Sequence, residues 1–282
     1  MSYGGSLGTG MFADITAKAL ADAGIGTLPL ARQAIDQGTC AVLVDSSGER
    51  SFISHHGAER KIDAAGLDAI DVSEGDWILL TGYSLFKPET AAAFLPWLQR
   101  LRKDANFIFD PGPVVAEIPT PALNVAVQRA DWISANLSEA GILTGLSDPA
   151  AAALELSRRR KGAIVRTGAD GCWLSCAGHV QHIAGFEVDA VDTNGAGDTH
   201  DGVFIAANCL GYGARDAACL ANAAAALSTT RHGPATAPDL ATALSFIRSR
   251  GIVLNEPDRQ ALRKNNCEQP GAASRPQQGE VK

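Results

Sequence analysis

Apolar and polar positions alternate in two rhythms along this chain. Short apolar runs at 77–80, 107–109, 132–134 and 163–165 have the length of buried strands, and the stretches between them, such as 88–102 and 148–159, carry amphipathic helical spacing. A β-α-β-α series of this kind predicts a mainly parallel sheet covered by helices on both faces. Ahead of it, 12–23 reads as a helix stopped by Gly24, and the β-rich runs 38–44 and 50–54 read as a hairpin turning at Ser46-Ser47-Gly48. Behind it, 173–183 reads as a second hairpin around Ala177-Gly178, 186–191 as a further strand, and 197–210, 216–230 and 239–248 as three helices. From residue 256 the chain has few aliphatic side chains and many Pro, Gln, Asn and charged residues. Such a segment cannot offset its ordering entropy. The predicted organisation is one α/β domain over 1–255 and a disordered tail over 256–282.

Composition then narrows the partners. The 282 residues carry 31 acidic and 24 basic side chains, a net charge of −7. That balance offers no basic stripe for a phosphate backbone or an anionic membrane, so neither nucleic acid nor membrane is expected as a partner. No apolar run reaches the roughly 18 residues that span a bilayer, and the first residues do not read as a signal peptide, which points to the cytoplasm. Six cysteines without a regular framework are expected to be thiols. Cys172, Cys176, His179 and His182 are spaced loosely like metal ligands. Their linker is short for a zinc site, and on a hairpin the two histidines point to opposite faces, so zinc is not expected there.

The stretch with the most chemistry is Val191-Asp192-Thr193-Asn194-Gly195-Ala196-Gly197-Asp198-Thr199-His200-Asp201-Gly202, between the β-like run and a helical one. Small residues at such a turn let successive N–H groups of Gly195, Ala196 and Gly197 point outward at the positive end of a helix dipole, forming an anion hole. A carboxylate at Asp198 is better placed there to accept a proton from a hydroxyl than to bind phosphate. Composition alone equally allows a Gly-rich turn with Asp198 as helix N-cap. The P-loop GxxxxGK[ST] is absent, and no GxGxxG follows an early strand.

Asp192-Thr193-Asn194-Gly195-Ala196-Gly197-Asp198 resembles the DTxGAGD signature of the ribokinase-like, PfkB-type sugar kinases. In the same order, Asn136-Leu137-Ser138-Glu139 is similar to that family's NxxE magnesium motif and Val165-Arg166-Thr167-Gly168-Ala169-Asp170-Gly171 to its nucleotide-binding strand and turn. Asn222 and the loop Arg231-His232-Gly233-Pro234 fit its adenine-side and cation-side elements, and Asp110-Pro111-Gly112-Pro113 its Asp-Pro turn. The resemblance covers about 3–249. It implies a ribokinase-like α/β fold with a small β lid near 26–57, and ATP-dependent transfer of a γ-phosphoryl group to a sugar hydroxyl.

The resemblance assigns roles. Asp198 is the expected base, with the N–H groups of Gly195, Ala196 and Gly197 neutralising phosphoryl charge. Asn136, Arg166, Thr167, Gly168, Gly171 and Asn222 are expected on the ATP side, and Glu139 with Asn136 on Mg²⁺ through water. A capped helix is the plain reading of Asn136, Ser138 and Glu139, and a solvent-facing side chain that of Asn222. Asp192, Asn194, Ser228 and Gly233 would supply oxygens to a monovalent cation such as K⁺. His55 and His56 would lie toward the substrate if the first hairpin is the lid, and ordinary surface is their plain reading. A homodimer through the lid is also implied. The family's opening strand with a sugar-binding Asp, and its Gly-Gly-x-Gly-x-Asn segment, are not found. About one β-β-α segment, on the order of 50 residues at typical element lengths, is therefore expected to be missing. Beside a sugar kinase stand a kinase of the same fold acting on a nucleoside or another hydroxylated compound, and a non-catalytic nucleotide-binding remnant. The hairpin lid and the GAGD motif favour a sugar over pyrimidine-type substrates.

Overall fold

The computed structural model describes residues 1–28, 33–44, 50–62, 64–255 and 257. The turn at Ser46-Ser47-Gly48, Cys267 and the tail apart from residue 257 lie outside the described residues. Two compact units are present: Met1–Gly168 with Cys172–His182, and Ala169–Gly171 with the chain from Ile183 onward.

The first unit opens with β1 (Ser2–Tyr3), α1 (Met11–Asp22) and β2 (Gly26–Thr27), with β1 and β2 paired in parallel. No residue beside α1 in sequence caps it. The Asp36 carboxylate instead accepts from the N–H groups of Phe12 (3.2 Å) and Ala13 (2.8 Å), two of the four donors a helix start leaves unbonded. β3 (Thr39–Val44) and β4 (Arg50–His55) form the expected hairpin, with Ala41 opposite Ile53 and Leu43 opposite Ser51. At its base the Glu59 carboxylate accepts from Gly38 N–H and Gly57 N–H, each at 2.8 Å, which ties both ends of the hairpin to one side chain.

After α2 (Ala64–Asp68) comes the main sheet. Its strands are β5 (Trp77–Thr81), β6 (Asn106–Asp110), β7 (Trp132–Asn136), β8 (Gly162–Arg166), β9 (Gly171–Cys176) and β10 (His179–Ala184), in the spatial order β10-β9-β8-β7-β6-β5. β5 through β8 run parallel and β9 turns antiparallel to β8. The connecting helices are α3 (Pro88–Arg100), α4 (Thr120–Arg129), α5 (Leu137–Thr144) and α6 (Pro149–Ser157). Phe107 and Phe109 of β6 are wholly buried, in one cluster with Phe94 and Leu98 of α3, Ala126 of α4 and Ile133 of β7. Each Phe contributes roughly 2–3 kcal/mol by burial, and trimming either to Ala is expected to cost about 3–5 kcal/mol once the cavity is included. In the β9–β10 hairpin Cys172 is buried and His179 and His182 are exposed. Among the described residues no group of three or more His, Cys, Asp or Glu side chains is placed to hold a metal ion.

The second unit holds α7 (Ala196–Cys209), α8 (Ala214–Ser228) and α9 (Leu240–Ser249). α8 buries an almost continuous row from Asp216 to Ala224, mostly Ala, and small side chains of this kind let neighbouring backbones approach. The strand expected at 186–191 is irregular chain. Only Phe186 is buried there: it packs on Phe246 of α9 with ring centroids 5.3 Å apart, while the exposed Val191 sends its N–H to Thr229 O at 2.7 Å. A two-residue apolar period reports which side chains turn inward, whereas a strand also needs a neighbour for its N–H and C=O groups.

Candidate active site

Three adjacent parallel strands of the first unit end in polar residues: β6 at Asp110, β7 at Asn136 and β8 at Arg166, with Asn136 in register with Arg166. Carboxyl ends of parallel strands are where open α/β sheets gather ligands. Asn136 is the N-cap of α5, its Oδ1 accepting from Glu139 N–H at 2.9 Å while Glu139 Oε2 accepts from Asn136 N–H at 2.8 Å. That is a full capping box, and Asn136 Nδ2 adds a bond to Glu139 Oε1 at 2.7 Å. Of the two capping candidates, Asn136 rather than Ser138 is the cap.

Arg166 does not extend toward solvent. Its Nη2 lies 3.0 Å from Asp110 Oδ2 and 3.6 Å from Glu139 Oε2, and its Nη1 donates to Ser134 Oγ at 3.0 Å. Two buried carboxylates thus hold the guanidinium inside the protein. Asp110 also accepts from Gly112 N–H at 2.8 Å, which closes the Asp-Pro turn. All these donors to a cation are oxygens, and each Glu139 oxygen already accepts a hydrogen bond. Oxygen donors of this kind are the ones a hard ion such as Mg²⁺ takes, through water where the oxygens are already engaged. Thr167 and Gly168 follow Arg166 directly, and Gly168 opens a single 3-10 turn, Gly168–Asp170.

In the second unit, Gly171 is packed so closely that a Cβ would lie 2.2 Å from Ile183 O. The N-terminus of α7 is formed by Gly195, its N-cap at φ 76° and ψ 3°, with no side chain capping it. Asp198 is thus the third residue of α7 and exposed, and the plain reading of it as N-cap is corrected. Its carboxylate stands in the first turn of a 14-residue helix, beside Ala196 and Gly197. Pro234 presses on the turn from outside, its carbonyl oxygen 2.1 Å from where a Gly195 Cβ would be.

Of the four residues expected around a monovalent cation, Asp192, Asn194 and Gly233 lie on two loops that meet, and Ser228 ends α8. Asp192 accepts from Asn194 N–H at 3.0 Å and from Gly233 N–H at 2.9 Å, and Asp192 N–H donates to Thr229 O at 3.0 Å. Ser228 is buried, its carbonyl accepting from Thr236 Oγ1 at 2.8 Å. The solvent-facing reading of Asn222 is corrected: the residue is buried on α8 and its amide is engaged within the unit. Nδ2 donates to Ile183 O at 2.9 Å and Ala184 O at 3.2 Å, and Oδ1 accepts from His200 Nε2 at 3.1 Å.

Other features had no legible signal in the chain. A cavity of about 370 Å³ in the first unit is lined by Gly5, Leu7, Ala17, Ala21, Ile25 and Leu28 among others, all ordinary core-type residues. Of the hairpin histidines, both exposed, His56 comes within 3.8 Å of Glu59. Partial desolvation, followed by the nearby Arg60 charge, holds its imidazole below the usual range.

Comparison with known proteins matches this arrangement to a family. The model of the pfkB family carbohydrate kinases matches residues 1–241. An uncharacterized sugar kinase of Escherichia coli is 31% identical over 237 residues, 82% of this chain and 73% of that protein. Among solved structures, a ribokinase of Thermotoga maritima superposes with a TM-score of 0.70 at 27% identity, covering 86% of this chain and 80% of its own. An Escherichia coli protein designated ribokinase II, solved with ATP and Mg²⁺, gives a TM-score of 0.76 at 25% identity over 87% of this chain and 82% of that one. The sheet, the anion-hole turn and these matches agree: the chain belongs to the pfkB family of carbohydrate kinases and is a phosphotransferase.

Proposed function

We propose that this chain transfers the γ-phosphoryl group of ATP to a hydroxyl of a sugar, with Asp198 as the base. The observation that carries the reading is the exposed Asp198 carboxylate in the first turn of α7, behind a turn that leaves the helix start without a side-chain cap. Asp198 takes the proton of the attacking hydroxyl. N–H groups of Gly195, Ala196 and Gly197 stabilise charge on the transferring phosphoryl oxygens, the main form of catalysis open to a protein in phosphoryl transfer. Thr167, Gly168 and Gly171 are assigned to the nucleotide through their backbones. Asn222 is assigned an indirect part, holding the segment at Ile183 and Ala184 on that side. Glu139 and Asn136 would hold Mg²⁺ through water. When bound, that ion screens phosphate charge. Asp192, Asn194, Ser228 and Gly233 would frame a K⁺ ion. The reading includes a cytoplasmic location and a homodimer through the β3–β4 hairpin, whose Leu43 and Ile53 are exposed on the same face.

The test is ADP release with ATP and Mg²⁺ across a panel of sugars and nucleosides, for the wild type and Asp198→Asn. Asn preserves shape but cannot take the proton, so turnover should fall about 10²- to 10⁴-fold with an unchanged melting midpoint. Near wild-type turnover for Asp198→Asn refutes the base. Turnover of nucleosides alone replaces the sugar with the alternative acceptor.

A further inference from the structure

The cluster at the ends of β6, β7 and β8 contains one more piece of chemistry. Asp110, Glu139 and Arg166 are all strongly shielded, with side chains 10%, 5% and 12% exposed. Two carboxylates share this one guanidinium away from water, and Arg does not lose its proton at any working pH. Each carboxylate is also aimed by groups other than Arg166. Asp110 Oδ1 accepts from Gly112 N–H at 2.8 Å, and both Glu139 oxygens accept from Asn136, at 2.8 and 2.7 Å. Taking away the guanidinium would leave two oriented carboxylates facing the space it filled. An all-oxygen, doubly negative pair is what a hard divalent cation binds.

We propose that Arg166 is a built-in cation standing where Asp110 and Glu139 would otherwise capture a divalent metal ion. The chain without nucleotide therefore binds no free Mg²⁺ at this cluster and takes the ion only together with the nucleotide. The second half rests on the proposed ATP- and Mg²⁺-dependent reaction, and the first half does not. Arg166 is thereby a positioning residue: it offsets the charge of the Asp110 and Glu139 carboxylates, whose directions other groups fix, without touching substrate.

The experiment is binding of Mn²⁺, read as loss of the free-ion electron paramagnetic resonance signal, to nucleotide-free protein. Wild type and Arg166→Lys, which keeps the charge, should leave the signal unchanged. Arg166→Met should bind Mn²⁺ at least about tenfold more tightly, since a unit positive charge beside the carboxylates opposes a divalent ion even at water's dielectric. Adding Asp110→Asn to Arg166→Met should abolish the new binding. Arg166→Gln, which keeps a donor for Ser134, serves if the Met variant does not fold. A folded Met or Gln variant that binds no more Mn²⁺ than wild type overturns the proposal, as does tight Mn²⁺ binding by the nucleotide-free wild type. With ATP added, Mn²⁺ should be retained with the wild type on ultrafiltration, above a control of Mn²⁺ and ATP without protein, and failure to be retained overturns the second half. A wild type that turns over no acceptor defeats the proposed reaction and leaves the nucleotide-free Mn²⁺ result to decide the role of Arg166.

Discussion

Replacing Gly195 by Ala separates backbone strain from steric contact at the anion-hole turn. Gly195 sits at φ 76°, where an L-residue costs about 1–2 kcal/mol. An added Cβ would also stand 2.1 Å from the carbonyl oxygen of Pro234, well inside contact distance, and the obstacle is backbone rather than a movable side-chain tip. Relief requires shifting the loop that carries Gly233 and Pro234, and overpacking of this kind costs about 1–3 kcal/mol. The total is about 2–5 kcal/mol. Gly251 is the matched control in the same unit: its φ is 73° and a Cβ there would meet nothing within 4 Å. Gly251→Ala should show the strain alone, about 1–2 kcal/mol. Urea unfolding followed by circular dichroism, with thermal midpoints as a second readout, measures both variants. At roughly 2–4 °C per kcal/mol the Gly195 variant should melt several degrees below the Gly251 variant. It should also lose turnover, because moving Gly195 re-aims the N–H groups of Ala196 and Gly197. Equal destabilisation of the two variants would refute the contact with Pro234 and with it the claim that this loop shapes the turn.

Asn222→Ala should destabilise the protein by about 2–4 kcal/mol, since it strands His200 Nε2 and the carbonyls of Ile183 and Ala184, and urea midpoints check it. Asn136→Ala removes the helix cap and frees Glu139, and should cost about 1–2 kcal/mol in the same assay while raising the Mg²⁺ concentration needed for half-maximal turnover. Burial pushes the Glu59 carboxyl up, but the N–H groups of Gly57 and Gly38 outweigh it and hold it below the usual range. Its contribution to stability is thus full above its unfolded value of about 4.3 and is lost as pH falls through the lower folded value. Glu59→Gln should flatten that acid limb in urea midpoints measured from neutral pH downward. An Ile53→Asp substitution should yield monomers by size-exclusion chromatography if the hairpin joins two copies.

Local patterning carried much of this protein. The apolar runs of β5 to β8 and the helical spacing of α3 and α6 are legible because one residue's neighbours along the chain decide which face it buries. The same holds for the Asn136–Glu139 box, whose partners lie within three residues. What only the tertiary structure decided are pairings across long separations. Arg166 meets Asp110 across 56 positions, Asp36 caps a helix that begins 25 residues before it, and Asn222 reaches back 39 residues to Ile183. Nothing in the local sequence specifies these, because they depend on strand order and register, which arise only when the whole sheet assembles. The irregular 186–191 segment shows the same boundary from the other side. Its alternation is a true report of burial around Phe186, but whether a strand forms depends on a hydrogen-bonding neighbour, and that neighbour is a property of the fold.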